Sequence, residues 1–364
     1  MAKKQKILII KLGAIGDVVF AMPALNAIKS ILPESHISWV VGQSCLPLLK
    51  SHSLLDDLIV VDDSKFFSKN PAERLIEAFR LRNRLKGDKS LILVGHRALS
   101  YTLLLKSKYR CPIFQLARHE PLWWKKKLQR SIVIKPVSTH ESLAMKELVK
   151  CGLEHLSSQK LDNLPWERNF SNIPNCELDL PSSFLVLHIG GAVNSKTEFR
   201  LKRWPHFTEL IFRLLKETNK YLVLVGNHLD LNETGNILKE VHRKFFNNIT
   251  SHSSVFPEYR LVNRVGQTNL VQLINLLKRA SIFVGVDSGP LHIADSLNIP
   301  SIGLYGPTSP VSWGLIGNNS IVLRENLECS PCYKDDGYFL QCQFKHKCMK
   351  DLNAEVVLRE ILCR

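Results

Sequence analysis

Short apolar runs at residues 7–10, 37–41, 58–61 and 91–94 alternate with segments of helical periodicity such as 72–85. That alternation predicts a parallel, doubly wound sheet. Further runs at 113–116 and 132–134 extend the sheet, and a helix over about 140–151 follows. Residues 152–181 hold Pro165, Pro174 and Pro181 amid polar positions and read as a linker region. The pattern then restarts. A strand at 184–187, a glycine pair, a helix at 206–217 and a strand at 221–225 are followed by helices at 231–246 and 270–280 and strands at 282–286 and 301–304. The economical solution is α/β, with two Rossmann-like doubly wound lobes at 1–175 and 176–344 and a helical tail at 345–364. Ligands of such sheets bind at the carboxyl ends of the strands, so two lobes facing across a cleft would enclose them.

The chain has 364 residues, 45% hydrophobic and 23% charged, which suits a globular protein of two domains. No run of eighteen apolar residues predicts a membrane span. The basic, then apolar N-terminus imitates a secretory signal, but Lys11 and Asp17 interrupt its apolar region, which points to a cytoplasmic protein. Charge is uneven. Residues 1–175 carry 28 Lys+Arg against 15 Asp+Glu, a net of +13 out of the formal +16 of the whole chain. An acidic partner is expected on that half: nucleic acid, an anionic membrane or a phosphorylated substrate.

The second half carries Asp287-Ser288-Gly289-Pro290 between a strand and a helix opened by Leu291 and His292. Gly289 lets a backbone approach a ligand, Pro290 suits the first helical position, and the amides of a helix start favour an anion. His292 there can donate to a phosphate or sugar oxygen, or be a packing residue. Lys202 and Arg203 precede Trp204-Pro205 after the Gly190-Gly191 turn, where a cation can neutralise a diphosphate. Asp230, beyond the strand at 221–225, is positioned to accept from a ribose diol. In the first half, the glycine turn at Gly13 leads to Asp17. This carboxylate either complements a helix start or takes a proton from a substrate hydroxyl. The G-x-G-x-x-G and G-x-x-x-x-G-K-[ST] patterns are absent, which lowers support for dehydrogenase and P-loop readings. Residues 118–130, RHEPLWWKKKLQR, set Trp123 and Trp124 beside Lys125, Lys126 and Lys127, a combination that fits peripheral contact with anionic lipid.

The segments KILIIKLGAIGDVVFAMPAL and VGQTNLVQLINLLKRASIFVGVDSGPLHIADSLNIPSIGLYGPTSP resemble glycosyltransferase family 9, the lipopolysaccharide heptosyltransferases. The resemblance implies a GT-B fold, with the acceptor on the N-terminal lobe and a nucleotide sugar on the C-terminal lobe. It implies that Asp17 is the catalytic base, that Lys202 stands near the donor phosphates and that Asp287 binds sugar hydroxyls. It further implies that Ser288, Gly289 and His292 hold the diphosphate, that Gly190 and Gly191 form the first donor loop, and that Thr268 lies near the base. The N-lobe departs from the family pattern at Gly95-His96-Arg97, which leaves acceptor identity open and puts Arg97 on the acceptor side. Cys329, Cys332, Cys342 and Cys348 allow a structural zinc site by spacing, although the resemblance implies no catalytic metal and reduced thiols suit the cytoplasm.

The expected function is inverting, metal-independent transfer of heptose or a related sugar, from an ADP-heptose-like donor to the lipopolysaccharide inner core. No cofactor and no nucleic acid is expected, and the site of action is the inner face of the inner membrane. A noncatalytic nucleotide-sugar-binding protein and a nucleic-acid-binding protein are the alternatives.

Overall fold

The strand KILII is apolar at four of its five positions, and Ile7, Leu8, Ile9 and Ile10 are all fully buried in the structure. Burial on both faces is the mark of a central parallel strand covered by helices on either side. In the computed structural model, the described residues are 4–66, 68, 70–95, 105, 108–116, 132–168, 170, 173–191, 201–247, 257–333 and 342–364. They divide into two compact units, Met1–Ile173 and Pro174–Arg364.

The first unit holds β1 (Lys6–Ile10), β2 (His36–Gly42), β3 (Asp57–Val61), β4 (Leu91–Val94), β5 (Ile113–Leu116) and β6 (Ile132–Ile134). They form one parallel sheet in the order β3-β2-β1-β4-β5-β6. The second unit holds β7 (Phe184–His188), β8 (Tyr221–Val225), β9 (Leu261–Asn263), β10 (Ile282–Val286), β11 (Ser301–Tyr305) and β12 (Ser320–Arg324). Its order is β12-β11-β10-β7-β8-β9, again all parallel. Each sheet therefore reverses winding beside its first strand, between β1 and β4 and between β7 and β10. Those switch points are where doubly wound sheets bind ligands.

Two strands, β9 and β12, have no counterpart in the apolar pattern. Both lie at sheet edges and are only half buried, so neither needs a full apolar run. The C-terminal residues fold as the helices Lys347–Lys350 and Ala354–Leu362. Met349, Leu352, Val357, Leu358 and Ile361 join the core of the second unit, against the helix Phe207–Glu217. Among the described residues, no helix is long and apolar enough to cross a membrane.

Candidate active site

At the second unit's switch point, β10 ends at Val286 and the helix Gly289–Ser296 starts after Ser288, with Pro290 in its first turn. No side chain caps that helix start. The Ser288 hydroxyl donates instead to Val286 O at 2.9 Å and lies 3.3 Å from His188 Nδ1, which makes the histidine the donor between them. Its first amides and dipole are thus directed beyond the carboxyl edge of the sheet, the arrangement that binds anions.

Asp287 organises the hydrogen-bond donors around this edge. It is 5% exposed. Lys202 Nζ donates to its Oδ2 at 2.8 Å and to its backbone oxygen at 3.3 Å, and His292 Nε2 donates to Oδ1 at 3.1 Å. Burial alone would raise this carboxyl, but the Lys202 ammonium and His292 hold it well below the usual carboxylate range. Lys202 is itself anchored by Trp204, which is 2% exposed and donates to Leu352 O at 2.6 Å.

Beside it, β7 ends at His188. Burial pushes that imidazole down to about 4, with Asp230 opposing the fall and Arg203 adding to it. Asp230, offered above to a ribose diol, is 1% exposed. Its carboxylate accepts from Arg203 Nη2 at 2.7 Å and from the Asn227 amide at 2.9 Å. Its influence at the edge therefore runs through Arg203, which also pairs with Glu233. Gly190 lies so close that a Cβ there would stand 2.3 Å from Asp230 Oδ2, so only glycine fits. Gly191 is also described. Thr268 follows Gly266, whose φ of +70 turns the chain after β9, and it precedes the Asn269 cap of the helix Leu270–Lys278. Leu291 is 0% exposed and its amide donates to Ser288 O at 3.1 Å, so its side chain belongs to the core.

In the first unit, β1 runs out through Lys11 and the buried Gly13 into the helix Ile15–Ala21. Asp17, in its first turn, accepts from the Ala14 amide at 3.0 Å while its side chain keeps 31% exposure. Lys11 Nζ lies 4.0 Å from Asp17 Oδ1, donates to Glu141 Oε1 at 2.8 Å and donates to Gly95 O at 3.1 Å. Asp17 thus both satisfies a helix start and stands at the carboxyl edge of the sheet. Sequence reasoning assigned no role here to Lys11 or Glu141. The available signal was a lysine directly after an apolar strand.

Arg97, Trp123, Trp124, Lys125, Lys126 and Lys127 lie outside the described residues, as does most of the segment from Gly191 to Lys202. Cys329, Cys332, Cys342 and Cys348 are free thiols, the last of them buried. The Cys348 thiol is pushed up to about 11 by burial and by the other three cysteines. Among the described residues, no three His, Cys, Asp or Glu side chains converge in an arrangement that can hold a metal ion.

The chain is 24% identical over 334 residues to lipooligosaccharide heptosyltransferase 2 of Haemophilus ducreyi, with 88% of each chain covered. In structure it is similar to the glycosyl transferase family 9 protein of Veillonella parvula, with a TM-score of 0.70, 18% identity, and 99% and 96% of the two chains covered. It is also similar to an Escherichia coli heptosyltransferase solved with ADP-2-deoxy-2-fluoro heptose, with a TM-score of 0.67, 17% identity, and 98% and 99% covered. These likenesses show the GT-B type of fold, built from two Rossmann-like lobes. Residues 191–342, which include Lys202, Asp287 and His292, match the model of glycosyltransferase family 9 (heptosyltransferase). The chain is a glycosyltransferase, similar over residues 191–342 to glycosyltransferase family 9.

Proposed function

We propose that this enzyme transfers heptose, or a related sugar, from an ADP-heptose-like donor to the lipopolysaccharide inner core, with inversion and without a divalent metal. The observation that carries the reading is the group at Asp287: one buried carboxylate fixes Lys202 and His292 beside an uncapped helix start. Such a group is suited to the donor's diphosphate. The relatives' names supply the sugar and acceptor, since the Haemophilus ducreyi relative is a lipooligosaccharide heptosyltransferase and an Escherichia coli neighbour was solved with an ADP-heptose analogue.

In this reading the C-terminal unit holds the donor and the N-terminal unit activates the acceptor. Asp17 takes the proton of the acceptor hydroxyl as its oxygen bonds to the anomeric carbon. The bond from that carbon to the diphosphate oxygen breaks on the opposite face, and its electron pair leaves with the nucleoside diphosphate. A single displacement of this kind inverts the anomeric centre. Lys202, His292 and the amides beyond Ser288 stabilise the charge that develops on the leaving oxygens, the task a divalent ion would otherwise perform. Gly190, Gly191, Thr268, Asp287 and Gly289 complete the donor side. A lipid-linked acceptor places the enzyme in the cytoplasm, peripheral at the inner face of the inner membrane.

The test is transfer from ADP-heptose to inner-core acceptor, with ADP release as the readout. Asp17→Asn should bind ADP like the parent enzyme while losing turnover by at least about a hundredfold, within the range of general base catalysis. Near-normal turnover by that variant would remove Asp17 from the role. Absence of turnover with every nucleotide heptose offered to the parent enzyme would sink the donor assignment.

A further inference from the structure

The helix Pro71–Arg84 presents apolar side chains on two opposite sides. Ala78 and Leu81 are buried at 7% and 5% exposure and pack into the first unit's core. Leu75, Ile76 and Phe79 stay in solvent, at 55%, 52% and 48% exposure. Their spacing of i, i+1 and i+4 gathers them on one strip, turned away from Leu81. Folding of this unit requires only the buried strip to be apolar. A second, exposed strip marks a surface that meets something else.

The charges around the strip indicate what it meets. Arg80, with 60% of its side chain exposed, and Arg82 flank the apolar residues on either side by helical spacing. Arg74 and Arg84 stand on the same helix, and Arg84 donates to Val60 O at 2.5 Å. The opposing acids are Glu73 and Glu77, of which Glu77 is 7% exposed and paired with Arg80 at 3.2 Å. A protein partner would cover the leucine, isoleucine and phenylalanine but would leave the arginine border unexplained. An anionic bilayer accounts for both, because apolar side chains enter the acyl boundary while guanidinium groups meet lipid phosphates.

We propose that Leu75, Ile76 and Phe79 insert into the surface of an anionic bilayer, with Arg80 and Arg82 on lipid phosphates, and that this helix docks the N-terminal unit on the membrane. The proposal deepens the reading of a lipid-linked acceptor and uses residues separate from those at 123–127. Three half-exposed side chains make a weak anchor alone, so both the apolar and the electrostatic parts are needed.

The test uses the full chain and sedimentation with vesicles of phosphatidylethanolamine and phosphatidylglycerol, against vesicles of phosphatidylcholine, at low and high salt. The parent enzyme should bind the anionic vesicles, less so in high salt, and bind phosphatidylcholine poorly. The variant Leu75→Ser/Ile76→Ser/Phe79→Ser should lose about tenfold or more in anionic vesicle binding, and Arg80→Gln/Arg82→Gln several-fold. The arginine variant provides a separate measure should the triple variant fold poorly. Both should keep turnover on a water-soluble saccharide acceptor and lose it on an acceptor embedded in vesicles. The proposal is overturned if the parent enzyme ignores anionic vesicles, if both variants sediment like the parent, or if the triple variant instead converts a dimer to a monomer. Vesicle binding that follows the pattern without any nucleotide-sugar turnover would leave the docking intact and refute the proposed reaction.

Discussion

Lys11 and Glu141 form a buried ion pair of 2.8 Å, and the same ammonium stands 4.0 Å from the exposed edge of Asp17. One cation therefore faces two carboxylates, at the junction of β1 with the helices Ile15–Ala21 and Glu141–Ser157. Without Glu141, the charge of Lys11 would act on Asp17 unopposed by the second carboxylate and weaken it in the proposed role of base. Without Lys11, two carboxylates would share the site and raise one another's proton affinity. Asp17 and Lys11 also act on the neighbouring Cys45 thiol, but burial keeps it up at about 12, so it stays uncharged at neutral pH.

Opposite responses to two substitutions follow from this arrangement. Glu141→Gln should move the acid limb of the kcat/KM profile to lower pH and reduce turnover about tenfold, as expected for a weakened base. Lys11→Met should move the same limb to higher pH. It should also cost about 3 kcal/mol of stability in urea unfolding, since a buried carboxylate loses its counter-charge. Shifts of the two limbs in the same direction would show that the pair does not tune Asp17.

The Asp287 carboxylate should make the second unit sensitive to acid. Its folded form holds off protonation to well below the ordinary value of 3.8. The stabilisation is complete above that value and fades as the pH falls through and beneath it. Asp287→Asn should flatten this acid loss in a denaturation series. Because it also releases Lys202 and His292, turnover should fall by about a hundredfold or more, on the scale of losing a charge-stabilising group. An unchanged acid midpoint would contradict the ion-pair account.

How much of this was readable in the chain depends on whether burial left a local trace. The strands at the centres of both sheets are fully buried, so their apolar runs identify them within a residue or so. At the edges, β9 and β12 are only half covered, and LVN or SIVLR carries too little pattern to separate a strand from a loop. Asp287 was accessible because a polar residue at the carboxyl end of an apolar run stands out, Asp17 because it follows the glycine turn after the first strand, and Lys202 because it precedes Trp204-Pro205 in the loop after a glycine pair. The pairing of Lys11 with Glu141, and of Asp230 with Arg203, was not. Each joins residues distant in sequence through a strand order that no local periodicity encodes. Position beyond β8 likewise gave no sign that Arg203 and the Asn227 amide would both bond the Asp230 carboxylate.

The C-terminal segment should prove necessary for donor binding although it contributes no side chain to the site. Trp204 donates to Leu352 O and His206 contacts Lys350 O at 2.6 Å, which ties the Lys202 loop to the last helices. Trp204→Ala removes a side chain that is 2% exposed and should cost about 3 to 5 kcal/mol. Trp204→Phe keeps most of the packing and loses the hydrogen bond, so it should cost about 1 kcal/mol. In the phenylalanine variant the KM for the nucleotide sugar should rise more than kcat falls, because Lys202 is loosened. Thermal melts together with steady-state kinetics check this, and a kcat effect alone would point away from the loop.

His188 gives the most direct test of the second unit's electrostatics. Its imidazole ordinarily takes a proton near 6.5, but burial in the fold postpones this to about 4. Between those values the unfolded chain binds the proton and the folded chain does not. Stability therefore falls as pH is lowered through that window. His188→Gln retains a donor for the Ser288 hydroxyl without the titration. The parent protein should then lose about 2 kcal/mol more than the variant between pH 7 and pH 5, the linkage value of roughly one and a half units of proton affinity. The other histidines titrate equally in both proteins, so the difference between the two urea series isolates this ring. Parallel slopes would mean that the imidazole is solvated in the folded protein and that its contact with Ser288, 3.3 Å away, does not depend on neutrality.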